Sequence, residues 1–474
     1  MEVQDSSNII KKKFKLFSSN LAIIDENNNE ITYNDLNNYS NLFSSLFNYK
    51  SLVFLLCENK LGSIISYFSL ITNHQVPLLL NSDIDAKMLV ELLVFYKPNF
   101  LIIPREKKEF LKYGVKIYEI YDFYVLKLDF NQIQIYDNLC LLLSTSGSTG
   151  SPKFARISYE NIISNAESIS TYLNLTESER PITSLPMNYS YGLSVINSHI
   201  ISGSTVLLTS KSILEKDFWN FFNDYKATSL SGVPYTFDIL NKLRFFRKDN
   251  SNLKTLTQAG GRLNEELKKI IFDYSEKFKK KFYVMYGQTE ASPRISYVPY
   301  KNLGEKINSI GIPIPDGEIA LKDNDNQIIN EAFKTGQLVY SGKNVFLGYA
   351  KSKIDLKKED ENNGILETGD LAYRDSDNFY FITGRMKRFL KIFGNRINLD
   401  DVEKLINNEF CECACSGQDN MLKIYITKSS FFDEIKKFLI SKINLHFSAF
   451  EIITVKEIPR NNYGKILYSK LNEK

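Results

Sequence analysis

The sequence predicts an α/β protein. A large N-terminal domain of layered α/β subdomains carries a small β-barrel-like subdomain, and a small α+β C-terminal domain follows. Three observations predict this. Up to about residue 140, short apolar runs alternate with helix-like stretches, the pattern of parallel α/β layers. From about Gly311 the chain changes to short strands and turns. Beyond a charge-dense segment, Gly384–Lys391 (GRMKRFLK), strands and helices resume as a compact unit. At 474 residues the chain exceeds one ordinary core, so two or three domains are expected. The boundaries fall at 1–386 and 387–474, with the β-rich part at about 311–386.

Leu52–Cys57 reads as a strand, Leu61–Thr72 as a helix and Val76–Leu80 as a second strand. Ala86–Tyr96 is helical and Phe100–Ile103 extended. Asn161–Leu173 continues the helical period. Thr205–Leu208, Ser229–Ser231, Thr255–Gln258 and Phe282–Met285 read as further strands with helices between them. Gly317–Lys322 and Gln337–Ser341 are the short strands of the β-rich part. The C-terminal unit then reads as a strand, a helix (Leu399–Asn407), strands at Cys411–Cys415 and Leu422–Thr427, and a helix (Phe431–Asn444).

A net charge of +4 over this length is nearly neutral and implies neither a nucleic-acid nor a membrane partner. No stretch reaches the roughly 20 apolar residues of a membrane span. The N-terminus carries acids early and lacks an apolar core, so a signal peptide is not expected. Five cysteines, an odd number, suggest a reducing compartment and a cytoplasmic protein. Cys411, Cys413 and Cys415 would share one strand face, and no histidine lies at ligand spacing; buried strand cysteines are expected rather than a metal site.

Leu141–Lys153 (LLLSTSGSTGSPK) carries the most chemistry. An apolar lead-in is followed by Thr145, Ser146, Gly147, Ser148, Thr149 and Gly150, and Lys153 closes the run. Small residues let backbone N–H groups approach anionic oxygens, and hydroxyls and an ammonium add to them, as a polyphosphate requires. The Gly-Lys-Ser/Thr ending of an NTPase P-loop is missing. Five further segments stand out: Tyr286-Gly287-Gln288-Thr289-Glu290, Glu367-Thr368-Gly369-Asp370, Gly384-Arg385, Gly394-Asn395-Arg396-Ile397, and Pro459–Ile466 with Gly464-Lys465 inside it.

In this order and at these separations the segments resemble the adenylate-forming superfamily of acyl- and aryl-CoA synthetases, luciferases and nonribosomal peptide adenylation domains. The resemblance covers the chain from about residue 20 to its end. It implies a two-step reaction: a carboxylate attacks the α-phosphorus of MgATP and expels pyrophosphate, and a thiol then displaces AMP from the acyl-adenylate. By the same resemblance the loop residues Thr145–Gly150 and Lys153 hold the β- and γ-phosphates. Thr289 contacts the α-phosphate and Glu290 holds Mg²⁺. Asp370 takes the ribose hydroxyls with Arg385 beside it. Gly260, Gly261, Tyr286, Gly287 and Gln288 complete the nucleotide and acyl site. Lys465 is the catalyst of the first step. Lys387 is the hinge about which the small, mobile domain turns, bringing Lys391 and Gly394 to the site for thioester formation.

Three departures bear on these roles. Phe154 follows Lys153 where the superfamily usually has glycine. Gly336-Gln337-Leu338 replaces Gly-Glu-Leu and reads as structural. In Pro186–Gly192 neither the histidine of many acyl- and aryl-activating members nor the aspartate of amino-acid-activating ones occurs; Tyr189, Tyr191 and Gly192 stand there as acyl-pocket candidates. A buried ammonium without a carboxylate is costly, so a neutral acyl, hydroxyacyl or aryl acid is expected over an α-amino acid. The acceptor is CoA or a 4′-phosphopantetheine; the alternatives are transfer of the adenylate to an amine or its oxidation as in luciferases, and, further off, a catalytically idle scaffold relative. Only nine residues follow Lys465, so a carrier would be a separate acyl carrier protein, and the chain's length leans toward that acceptor.

Overall fold

Leu52–Cys57, apolar throughout, is a fully buried strand inside an eight-stranded sheet. The computed structural model describes residues 3–145, 153–386, 388–392, 395–442, 445–460, 464 and 466–471. In the eight-stranded sheet the strands run Gly348–Ala350, Phe154–Ser158, Leu139–Ser144, Val76–Asn81, Leu52–Cys57, Phe100–Pro104, Phe123–Lys127 and Val115–Ile120. The middle four are parallel, as expected, with Phe54 opposite Leu78 and Leu101. The margins are antiparallel. The connection between Ile120 and Phe123 is too short for a parallel crossover and forces a hairpin.

A nine-stranded sheet has the order Ile312–Pro313, Arg294–Val298, Lys281–Gly287, Thr255–Gln258, Ser229–Gly232, Pro181–Ile182, Val206–Leu208, Leu21–Asp25 and Glu30–Thr32. Its middle is again parallel and its margins antiparallel. The helix after Phe154–Ser158 starts at Tyr159, earlier than its apolar period suggests. Ser158 Oγ accepts the Asn161 N–H at 3.1 Å while Asn161 Oδ1 accepts the Ser158 N–H at 2.8 Å, a reciprocal cap. Asn161 Nδ2 also donates to the carbonyls of Lys343 and Val345. A helix N-terminus thereby fixes the segment leading into Gly348–Ala350.

Two compact units result. One holds the described residues up to 318 with Tyr340–Leu366, and the other holds Ile319–Val339 and the described residues from 367 onward. A four-stranded sheet of Gly317–Lys322, Gly336–Gly342, Ile365–Arg374 and Tyr380–Arg385 supplies the β-rich part. The expected boundary residue, Lys387, lies outside the described residues.

Toward the C-terminus, Phe389–Ile392 pairs with Asn395–Asn398, and the helix Leu399–Glu409 follows. Cys413–Gln418, Met421–Ile426 and Phe450–Thr454 form a three-stranded sheet. The last of these, parallel to Met421–Ile426, has no counterpart in the expected elements. Cys411 precedes its strand rather than joining it, yet all three clustered cysteines are free, buried and in one core with Ile392, Ile406 and Leu439.

Candidate active site

Leu139–Ser144 and Phe154–Ser158 are antiparallel neighbours with Ser144 opposite Phe154, and the phosphate-loop sequence lies between them in the chain. Ser146, Gly147, Ser148, Thr149 and Gly150 lie outside the described residues. Of the flanking residues, Thr145 has a buried hydroxyl with no hydrogen-bond partner among the described residues. Phe154 is buried, and its ring meets Tyr96 edge-on at 5.3 Å. The bulky residue at the loop exit is therefore a core anchor.

Two positions on, Arg156 is 0 % exposed. Its guanidinium donates to the carbonyls of Leu347, Lys358 and Glu359 and pairs with Glu361. It holds Gly348–Ala350 along the edge of this strand pair, with Tyr349 opposite Ala155. Gly348, at φ +125°, has no space for a side chain, because a Cβ would fall 2.4 Å from Glu361 and 2.8 Å from Arg156.

Tyr349 then joins two of the expected site residues. Its hydroxyl donates to Glu290 Oε1 at 2.6 Å, and Lys153 Nζ lies 3.9 Å from the centre of its ring. Burial, reinforced by the Glu290 charge, pushes the phenol pKa up, so it stays a donor. The Phe346 N–H fixes the Glu290 carbonyl at 2.9 Å. Glu290 sits in the turn Thr289–Ala291 just after the strand Lys281–Gly287. Thr289 Oγ1 lies 3.1 Å from Ser190 Oγ at the start of the helix Ser190–Ile201. Gln288 carries a buried amide nitrogen without a partner. Gly287 lies against the Pro293 carbonyl, where a Cβ would come to 2.0 Å.

Tyr189 caps the helix Ser190–Ile201, and its ring lies 6.3 Å from that of Tyr191. Gly260 faces the Tyr189 hydroxyl: its φ is +85° and a Cβ would lie 2.7 Å from that oxygen. The Gly261 carbonyl accepts from Gln258 Nε2. Behind Tyr191 lies a cavity of about 340 Å³, bounded by Ser194, His199, Ser231, Thr257, Met285 and Arg294 among others. Gly192 and Tyr189 are not in its lining; Gly192 packs against the Leu185 and Pro186 carbonyls.

In the second unit Asp370 and Arg385 are cross-strand partners, with Arg385 Nε 3.0 Å from Asp370 Oδ1. The carboxylate is 8 % exposed and the guanidinium side chain 54 % exposed. The Met386 N–H donates to the Gly369 carbonyl and the Arg388 N–H to the Arg385 carbonyl, at 2.9 and 3.0 Å. Arg388 is clamped: it pairs with Asp400 and Glu403, and its guanidinium lies 4.0 Å from the Tyr468 ring centre. Lys391 is exposed, and its N–H donates to Asp419. Lys387, Gly394 and Lys465 lie outside the described residues. Around Lys465, Arg460 bridges Ile466 and donates to the Gly464 carbonyl at 2.6 Å.

Tyr349, Arg156, Arg294 and Arg388 were not legible as site residues in the sequence. A Gly-Tyr pair inside an otherwise ordinary strand was the one signal for Tyr349. The arginines carried none, because burial of a charge shows only once its partners are assembled.

The fold and the local motifs together resemble those of the adenylate-forming superfamily. The chain belongs to the family of AMP-binding enzymes, which matches residues 11–350. It is 26% identical over 365 residues to the long-chain-fatty-acid–CoA ligase of Salmonella typhimurium, covering 72% of this chain and 62% of that protein; it thus spans less than two thirds of the relative's length. It is similar in fold to the o-succinylbenzoate CoA synthetase of Bacillus subtilis. In that enzyme's complex with its acyl-adenylate intermediate the TM-score is 0.79 at 21% identity, covering 98% of this chain and 97% of the other. In its complex with ATP and magnesium ion the TM-score is 0.76 at 21% identity, covering 98% and 99%. Among the described residues no helix is long and apolar enough to cross a membrane.

Proposed function

We propose that the chain is an AMP-forming acid–thiol ligase. The observation that carries this reading is the Tyr349 junction, which gathers the loop lysine and the acid of Tyr-Gly-Gln-Thr-Glu at one strand edge. Among the described residues no cluster of three or more acids, histidines or cysteines could hold a metal alone. That suits Mg²⁺, which binds through one or two carboxylates and substrate phosphates. Glu290 offers the carboxylate, and the unpartnered Thr145 hydroxyl and Gln288 amide offer contacts to anionic oxygens. Mg²⁺ held by Glu290 would neutralise charge on the pyrophosphate leaving group.

In the first step an oxygen of the substrate carboxylate attacks the α-phosphorus, and the bond from that phosphorus to the α–β bridging oxygen breaks. Lys153 and the loop hold the departing phosphates, and Thr289 orients the α-phosphate. Lys465 bridges carboxylate and α-phosphate as charge builds. Asp370, with Arg385, takes the ribose. In the second step a thiolate attacks the acyl carbon and AMP leaves. The domain boundary lies at Lys387, and rotation there brings Lys391 and Gly394 to the site. The acceptor is CoA or the phosphopantetheine of a separate carrier protein, and the protein works in the cytoplasm.

ATP–pyrophosphate exchange over a broad panel of carboxylic acids tests the first step. Exchange with one acid class is expected; none with any acid overturns the proposal. Thioester formation on CoA compared with a cognate carrier protein decides the acceptor.

A further inference from the structure

Arg294 opens the strand Arg294–Val298 and is 2 % exposed. Its guanidinium lies 4.7 Å from the Tyr191 ring centre, and Nη2 donates to Ser194 Oγ at 3.3 Å. Its Nε is buried without a hydrogen-bond partner. Among the described residues no carboxylate lies within ion-pair distance of it. Arg156 and Arg388, the other deeply set arginines, both have carboxylate partners. A buried guanidinium that meets the Tyr191 ring, the Ser194 hydroxyl and the Tyr172 phenol is a charge without a counter-ion among the described residues, and such a charge is costly unless something arrives to neutralise it.

Arg294 lines the 340 Å³ cavity behind Tyr191. The charged lining of that cavity is basic: Arg294 and four lysines against one acid, Glu179. Glu179 is already paired with Lys254. Ser231, Thr257 and the Tyr191 hydroxyl bond to one another and form a polar wall. His199, also in the lining, has a buried Nε2 without a partner. An aliphatic chain in this space would leave the Arg294 guanidinium and His199 Nε2 facing hydrocarbon.

Resting on the adenylation reading, we propose that the cavity holds the distal end of a carboxylic acid that carries a second anionic group, and that Arg294 is the residue that selects it. A carboxylate matches the planar donor fork of a guanidinium and supplies the missing counter-charge. This replaces the neutral acid expected from Tyr189. The reacting carboxylate stays with Thr289 and the nucleotide, and the second anion supplies binding and orientation only.

The test uses pairs of acids of equal length, one ending in a second carboxylate and the other in its methyl ester. In pyrophosphate exchange the wild type is expected to favour the diacid by about tenfold or more in kcat/KM. Arg294→Gln is expected to abolish that preference while leaving the ester within about threefold and the KM for ATP unchanged. Arg294→Lys, which keeps the charge but not the fork, should fall between them. A wild-type preference for the ester, or an equal loss on both members in Arg294→Gln with its melting curve intact, overturns the assignment. Should Arg294→Gln not fold, the Arg294→Lys ratio decides by the same criterion. If the wild type exchanges with no acid, the adenylation reading itself fails. Titration of the paired acids into the nucleotide-free protein then judges Arg294 separately: diacid binding lost in Arg294→Gln supports it, and equal binding of both members overturns it.

Discussion

Tyr349 touches a base through its ring and an acid through its hydroxyl, and substitution separates the two contacts. Tyr349→Phe keeps the ring beside Lys153 but releases Glu290. The Mg²⁺ concentration for half-maximal exchange should rise about tenfold, the size of effect expected when a ligand's outer partner is lost, with the KM for ATP little changed. Tyr349→Leu should raise the KM for ATP as well. Indistinguishable Mg²⁺ titrations for wild type and Tyr349→Phe would remove the hydroxyl from the metal site. Phe154 makes a different prediction. Buried on Tyr96, it anchors the loop exit, so Phe154→Ala should cost about 3–5 kcal/mol of stability in urea unfolding, as large-to-small core changes do. A loss below about 1 kcal/mol would mean that the loop exit is not held by packing.

At the scale of elements, the helix Ser190–Ile201 carries a buried histidine. Burial pushes the His199 pKa from 6.5 to about 4. The unfolded chain therefore binds this proton more readily throughout that interval. Stability present above about pH 6.5 is lost as pH falls toward 4, by up to about 3 kcal/mol. His199→Gln should flatten the acid limb of a melting-temperature profile in that window, and an unaltered limb would show that other groups govern it. Elements were legible where apolar runs met turn residues. Leu52–Cys57, Leu61–Thr72 and Ala86–Tyr96 have the residues expected of them. Helix starts were legible only when the cap was recognised, which is why Ser158 and Asn161 moved one boundary. Strands at sheet margins were least legible, because partner and direction depend on chain far away in sequence. The same limit applies to the site. Glu290 and Asp370 stand in short local motifs, whereas Arg294 owes its role to a cavity assembled from several distant strands and helices.

Over the whole molecule, two half-reactions are assigned to one chain by exchanging one lysine for another. Lys465→Ala should abolish pyrophosphate exchange yet still convert supplied acyl-adenylate to thioester. Equal loss of both half-reactions would refute the alternation. Lys387→Pro should spare exchange and block thioester formation, since proline fixes φ; an unimpaired second step would move the hinge elsewhere. The residues flanking that position are each tied down, Met386 to Gly369 and Arg388 to Asp400, Glu403 and Tyr468. Hydrogen bonds from the Arg388 N–H to the Arg385 carbonyl and from Asn398 Nδ2 to the Thr383 carbonyl, both at 3.0 Å, span residue 387. Bonds of that kind are worth about 1 kcal/mol net each, and a turn at the proposed hinge would have to give them up. On the proposed alternation, the choice of orientation would pass to whichever ligand is bound: triphosphate before the first step, adenylate and thiol after it.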